Sequence, residues 1–380
     1  MRIIVAPDSF KGSVSAIGVA AAIERGIHAV FPEAKVQKVP IADGGEGTVE
    51  ALVSATGGRL IHTEVPGPLG ETVNACWGVL GDGETAVIEM AAASGLPLVP
   101  RELRDPRVTS TAGTGMLMKA ALDAGLRKLV IGIGGSATND GGSGMARALG
   151  VRFLDAQGES LPEGGAALAR LDRIDLTGLD PRLAQASILV ACDVDNPLCG
   201  VRGASAIYGP QKGATPEAVQ ELDAALGNLA KVASAATDRS VADLPGAGAA
   251  GGLGAGLLWY TPARLRPGVE IVLEATGFEA MVQGADLVIT GEGRTDAQTA
   301  MGKAPVGVAA VAKRHGVPVL CLSGGLGEGA EDVLALGIDA LMSIVPGPMT
   351  LETCMTQGAE LLESAAARAC RLLKCGAALA

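Results

Sequence analysis

A chain of 380 residues exceeds the size at which one hydrophobic core stops growing, so two domains are expected. Its formal charge of -11, with no basic run, argues against nucleic acid and against anionic membrane surfaces as partners. Seven cysteines, an odd number without a Cys-x-x-Cys pair, indicate neither a disulfide framework nor a zinc site, and neither residues 1–10 nor the glycine-rich stretch 244–263 reads as a signal peptide or a membrane helix, so a cytoplasmic chain is expected.

In chain order, Ile3, Ile4, Val5 and Ala6 form a short apolar run that fits a buried strand. The loop 7–13 follows with Asp8, Ser9 and Lys11, and Ser13 can cap a helix whose apolar positions include Ile17, Ala20, Ala21 and Ile27. Residues 36–40 read as a second strand, and 41–48 as a second strand-to-helix loop carrying Asp43 and three glycines. From 60 to 89 the apolar runs are short, broken by Gly-Pro turns, and alternate without intervening helices. Helical patterns follow at 111–124 and 215–236, with short strands at 128–133, 151–154 and 187–192. Residues 287–290 are a strand leading into a polar loop with Glu292, Arg294, Asp296 and Lys303, and Pro305 then suits the first turn of a helix. Strands at 317–322 and 338–345 and a helix at 351–373 close the chain.

Strand and helix alternate at short spacing near both ends, as a parallel sheet with crossover helices requires. The expected architecture is α/β: a parallel doubly wound, Rossmann-like sheet domain from residues 1–65 and 285–380, with a second α/β domain, 66–284, inserted into it. Residues 3–6, 36–40, 287–290 and 317–322 should be buried strands of one sheet. In such a sheet the loops at the carboxyl edge bind ligands, so the acids and bases of 291–303 mark a site for a charged ligand and a metal, or else a merely solvated loop.

Two glycine motifs need weighing. Gly132-Ile-Gly134-Gly135-Ser136-Ala137 matches the dinucleotide fingerprint, with Asp155 placed where a ribose-binding acid would sit. Gly141, Gly142 and Gly144 leave room for little more than two helical turns before Leu149, so a phosphate cradle of backbone N–H groups with Ser136, Thr138 and Asn139 at a helix N-terminus is the better reading. Gly246-Ala-Gly248-Ala-Ala-Gly251 lacks a preceding strand, and its glycines suit close backbone approach to a ligand or to another segment. No Walker A or G-x-S-x-G motif occurs, and the three histidines, 28, 62 and 315, lie outside every glycine-rich loop, so a general base is expected to be a carboxylate. Cys192 and Cys199 read as buried small apolar residues. Asp193 ends an apolar strand where it can face a ligand or Mg²⁺, Lys212 follows in a Gly-Pro turn, and Asp195 and Asn196 read equally as turn formers.

Taken in series, Ala6–Ser13, Pro40–Thr48, Gly132–Gly142, Cys192–Leu198, Tyr208–Gly213, Gly246–Gly254, and Ile289–Asp296 with Gly302-Lys303 resemble the type I glycerate kinase family. The resemblance implies ATP-dependent phosphorylation of D-glycerate, with the 2-hydroxyl as acceptor, a Mg²⁺ requirement, and two α/β domains with the active-site cleft between them. Glycerate is a small anion, so Arg294 is assigned to its carboxylate as a bidentate fork, with Asp8, Ser9 and Asn196 as further substrate contacts. Asp193 is the first choice for the base that takes the hydroxyl proton and Asp43 the second; Lys11 and Lys303 are phosphate clamps. Gly134, Gly135, Ser136, Thr138, Asn139 and Lys212 are expected to hold the nucleotide phosphates, and Glu292 and Asp296 the metal. An NAD-dependent hydroxyacid dehydrogenase and a non-catalytic sugar-acid-binding protein are the alternatives.

Overall fold

A computed structural model describes residues 1–42 and 44–378; Asp43 lies outside the described residues. The chain divides into two compact units. The first comprises Met1–Asp43, Glu50–Thr56 and Val269–Ala380, the second Gly44–Val49 and Gly57–Gly268.

The first unit is built on five parallel strands in the spatial order Ala340–Ser343, Val319–Leu326, Leu287–Thr295, Arg2–Val5, Lys35–Lys38. Counted along the chain within this unit, the order is 2-1-3-4-5, that of a doubly wound sheet. Ile3, Ile4, Val5, Val288 and Ile289 are fully buried, as strands covered on both faces require. Lys35–Lys38 differs from expectation: it is the edge strand, and Val36 is only half-buried. Helix Ala16–His28 is capped by Ser15, which accepts from Gly18 N, while Ser13 Oγ donates to Met355 O. Its inward face is therefore Val19, Ala20, Ile23 and Ile27, and Ile17 is exposed. A Cβ at Gly26 would strike Glu363 O, so that glycine lets the closing helix Gly358–Ala377 lie close. The closing segment is two helices rather than one, Leu351–Thr356 and Gly358–Ala377.

The second unit holds a six-stranded sheet in the order Ala263–Arg266, Ser187–Ala191, Lys128–Gly132, Thr85–Glu89, Thr72–Val79, Arg59–Pro66. The first four strands run parallel and the last two pair antiparallel, which suits the helix-free alternation read there from sequence. A separate two-stranded ladder joins Arg152–Leu154 to Arg173–Asp175. Buried Trp77, Met118, Leu129, Ile131 and Leu253 belong to the core on one side of the six-stranded sheet.

The division of the chain differs from the boundaries expected at 65 and 285. Arg59–Pro66 pairs along its whole length with Thr72–Val79, so it belongs to the second unit. Residues 269–284 belong to the first, where the Arg2 guanidinium donates to Gln283 O (2.9 Å) and Met281 O (2.8 Å). The chain also enters the second unit briefly at Gly44–Val49, where Val49 N donates to Glu89 Oε1 (2.7 Å).

Close backbone approach is a strict requirement in the second unit. Gly251 has φ +69°, and a Cβ there would run into Thr138 O, whereas Gly125, at φ +85°, faces open space past the end of helix Ala112–Asp123. Gly125→Ala should cost about 1–2 kcal/mol, the left-handed penalty alone. Gly251→Ala carries that penalty plus the clash, so it should lower the urea midpoint much further or abolish a cooperative transition.

Candidate active site

In a 2-1-3-4-5 sheet the crossover direction reverses between the first and third strands, and the crevice beyond their carboxyl ends is where ligands bind. Here those strands are Arg2–Val5 and Leu287–Thr295. Their pairing continues past the first strand, with Ala6 N donating to Ile289 O and Asp8 N to Gly291 O, both at 2.8 Å. The buried Asp8 accepts Ser9 N on Oδ1 (2.6 Å). The next turn packs beside Gly293, where a Cβ would be in ordinary contact with Phe10 Cα (3.4 Å) and Lys11 N (3.6 Å). The segment carrying Asp8, Ser9 and Lys11 is thereby laid against the one carrying Glu292, Arg294 and Asp296.

Residues 291–295, expected as loop, extend the strand. Glu292 registers with Ser323, Arg294 with Gly325 and Thr295 with Leu326, so backbone pairing orders the polar residues. Arg294 projects into solvent with Nε 3.4 Å from Asp296 Oδ2. Asp296 Oδ1 accepts Gln298 N (3.0 Å), and Lys303 Nζ reaches Gln298 Oε1 (3.4 Å) just before helix Ala304–Arg314, whose first turn holds Pro305.

Glu292 faces inward. Its Oε1 accepts from Thr299 Oγ1 (2.6 Å) and Thr295 Oγ1 (3.0 Å), and Thr295 Oγ1 also lies 2.6 Å from Ser323 Oγ. Burial pushes the Glu292 carboxyl above its ordinary range, against the pull of the two hydroxyls. No group of three or more His, Cys, Asp or Glu among the described residues is arranged to hold a metal ion. Glu292 and Asp296, expected as metal ligands, are engaged within the chain, Glu292 by the two hydroxyls and Asp296 by Gln298 N and the Arg294 guanidinium.

In the second unit, the loop 133–142 leaves the carboxyl end of Lys128–Gly132. Gly134 and Gly135 are exposed, the latter at φ +75°, while Ser136, Thr138, Asn139 and Asp140 are buried. Lys212, 1% exposed, donates from Nζ to Ser136 Oγ and to Thr138 O, both at 2.7 Å, so these three expected phosphate residues do converge. Asn139 Nδ2 donates to Ser205 Oγ (2.9 Å), while Asn139 Oδ1 and Thr138 Oγ1 are buried without a hydrogen-bond partner.

The expected helix N-terminus is not available to a phosphate. Helix Ser143–Ala148 has only 6 residues, and Asp140 takes the donors at its start: Gly142 N and Gly144 N at 3.1 Å, with Thr111 N (2.9 Å) and Thr111 Oγ1 (2.7 Å) completing the set. Reading the sequence did not single out Asp140; the only signal was an acid directly before two glycines, the pattern of an Asx turn. The dinucleotide reading fails on topology. Arg152–Leu154, which precedes Asp155, belongs to the small ladder and not to the sheet that carries Gly132, and Asp155 Oδ1 is spent on Gln157 N and Glu159 N. The second glycine run packs against the first: Gly141 N donates to Gly251 O (3.0 Å), and a Cβ at Gly252 would lie 2.9 Å from Gly141 Cα.

Asp193, exposed beyond strand Ser187–Ala191, accepts Gly268 N on Oδ1 (2.9 Å) at the start of helix Gly268–Ala275. Asn196 is engaged at both ends, Nδ2 donating to Arg202 O (2.8 Å) and Oδ1 accepting from Tyr208 Oη (2.6 Å), while Asp195 pairs with Arg202. None of these contacts is the side-chain-to-backbone bond of an Asx turn; they tie the segment 195–208 together instead. Cys192 and Cys199 are half-buried rather than buried, and burial pushes both thiols up, that of Cys199 to about 12, away from the reactive thiolate form. Gly44 and Gly45 lie against the same strand ends: a Cβ at Gly44 would strike that of Ala191, and one at Gly134 would lie 3.1 Å from Gly45 Cα.

Open α/β sheets that carry glycine loops, cations and carboxylates at their carboxyl edges suit an enzyme of the phosphoryl-transfer class, the class to which the relatives of this chain belong. The sequence profile of the Glycerate kinase family matches residues 3–374. The chain is 56% identical over 366 residues to Glycerate kinase of Bacillus subtilis (strain 168), covering 96% of each, and 53% identical over 352 residues to Glycerate 2-kinase of Escherichia coli (strain K12), covering 93% of this chain and 92% of that one. It is also similar to a crystal structure from Salmonella typhimurium LT2 provisionally named glycerate kinase 2, with TM-score 0.90 and 52% identity over 99% of both chains. This chain belongs to the glycerate kinase family. No helix among the described residues is long and apolar enough to cross a membrane.

The buried Glu292 carboxyl yields a stability test. Because its folded pKa is raised, its ionisation opposes folding, and the cost grows as pH rises from the ordinary glutamate range through the folded value. Glu292→Gln keeps an acceptor for Thr295 and Thr299 without that charge. The urea midpoint of the variant relative to wild type should therefore climb as pH is raised from 4.5 to 8.

Proposed function

We propose that this protein transfers the γ-phosphoryl group of ATP to the 2-hydroxyl of D-glycerate, giving 2-phosphoglycerate. The observation that carries the position of transfer is the 53% identity, over 93% of the chain, to a relative named Glycerate 2-kinase. Phosphoryl transfer asks little covalent chemistry of the protein; it asks for positioning and for neutralisation of charge on the phosphoryl oxygens. Mg²⁺ enters as the partner of ATP, held mainly by the phosphates and water, which is how kinases take it and which needs no cage of protein carboxylates.

The first unit offers the cations for glycerate and the transferred group. Arg294, solvent-facing at the switch point, presents two parallel N–H donors to the glycerate carboxylate. Asp8 and Ser9 orient the hydroxyls from the neighbouring turn, with Lys11 and Lys303 as phosphate clamps. The exposed backbone of Gly134 and Gly135 in the second unit holds the ATP phosphates, a role that its glycines support because no Cβ keeps an anion away. Asp193 takes the hydroxyl proton; its hydrogen bond from Gly268 N fixes the carboxylate in one orientation, as a general base needs. Seven free cysteines suit a reducing compartment, the cytoplasm.

The direct test is a coupled kinase assay with the product identified by phosphorus NMR. ATP, Mg²⁺ and D-glycerate should yield 2-phosphoglycerate, and chelating Mg²⁺ should stop turnover; 3-phosphoglycerate as sole product would overturn the position of transfer. Asp193→Asn should lower kcat by about 10²-fold or more. Arg294→Lys should chiefly raise the KM for glycerate, since a point charge replaces a two-pronged donor. Near-normal turnover in Asp193→Asn would move the role of base to Asp43, and an effect of Arg294→Lys confined to the KM for ATP would pass the carboxylate contact to Lys11.

A further inference from the structure

Lys212 is a fully buried lysine, 1% exposed, and its position is unusual for a residue expected to clamp a phosphate. It ends the short turn Pro210–Lys212, and Gly213, at φ +97°, follows, where a Cβ would strike Arg104 O. The ammonium sits behind the loop 133–142, with two of its three protons on Ser136 Oγ and Thr138 O. At 1% exposure it does not reach a ligand lying on the exposed glycines Gly134 and Gly135. A buried ammonium held only by a hydroxyl and a carbonyl is expensive. The same loop hides Thr138 Oγ1 and Asn139 Oδ1 without partners, a further polar cost concentrated on these few residues.

We infer that Lys212 is a positioning residue for the nucleotide: from behind the loop it fixes Ser136 and Thr138 and supplies the positive charge that draws the ATP phosphates to Gly134 and Gly135, without touching them. This rests on the reading that the loop holds ATP. The carboxylate of Asp140 ties down the other end of the loop through its four donors, so a cation and an anion frame it from within.

The charge state of the lysine is adjustable. Burial brings the Lys212 ammonium down to about 7, with Asp140 pulling the other way. Arg104, whose backbone packs against Gly213, directs its Nε to Val99 O (3.4 Å), and the remaining groups contacting the ammonium, Ser136 and Thr138, are neutral. Below pH about 7 the loop carries the charge and above it loses it. An anionic ligand favours the charged form, and each unit of pKa it restores is a ~10-fold gain in affinity.

The experiment is titration calorimetry of ATP binding, without glycerate, to the full chain and three variants between pH 6 and 8.5. Wild-type affinity should fall by about 10-fold across this window. Lys212→Met should bind about 10-fold more weakly at pH 6 and lose most of that slope, the residue being set by the titration of ATP itself. Lys212→Arg, which stays protonated, should be equally flat, so the slope remains a test if the methionine variant does not fold. Gly135→Val tests the underlying reading by placing a side chain on the loop surface. If Gly135→Val weakens ATP binding while Lys212→Met binds as tightly as wild type with the same slope, the role of Lys212 is overturned and the loop site stands. If Gly135→Val leaves ATP affinity unchanged, the loop does not hold the phosphates and both fall.

Discussion

The pairing of Arg2–Val5 with Leu287–Thr295 is the constraint on which the rest of the first unit depends. Thr290 Oγ1 donates to Ala6 O across a sequence separation of 284 residues, and the ladder runs on to Asp8 and Gly291. Two parallel strands side by side, with helical crossovers leaving in opposite directions, must open a crevice at their carboxyl ends. That one pairing therefore decides where Asp8, Lys11, Glu292 and Arg294 meet. It is the strand pairing with the longest sequence separation, and the apolar contacts of Ile3, Val5, Leu287 and Ile289 offset its loop-closure cost.

The second unit is organised by absence of side chains. Gly44, Gly132, Gly251, Gly252 and Gly256 let backbones approach to distances that a Cβ would forbid, stacking three loops at the carboxyl end of one sheet. Such packing leaves many backbone dipoles in a small volume, and two buried charges settle them. Asp140 collects four donors, and Lys212 serves a hydroxyl and a carbonyl. The matched span of the glycerate kinase family, residues 3–374, includes all of these loops.

The sequence alone determined the α/β class, the parallel sheet of the first unit and the family. Short apolar runs at 3–6 and 287–290 and Pro305 in the first turn of Ala304–Arg314 follow from local physics: burial periodicity and a fixed φ. Seven ordered motifs carried the resemblance. Tertiary structure decided what local pattern leaves open. It drew residues 291–295 into a strand because Ser323, Gly325 and Leu326 offered a ladder. It put Arg152–Leu154 in a different sheet from Lys128–Gly132, removing the basis of the dinucleotide reading. It also gave the helix start to Asp140 and hid Lys212 behind its loop, because burial and hydrogen-bond partners come from segments far apart in the chain, and spacing along one segment does not encode them.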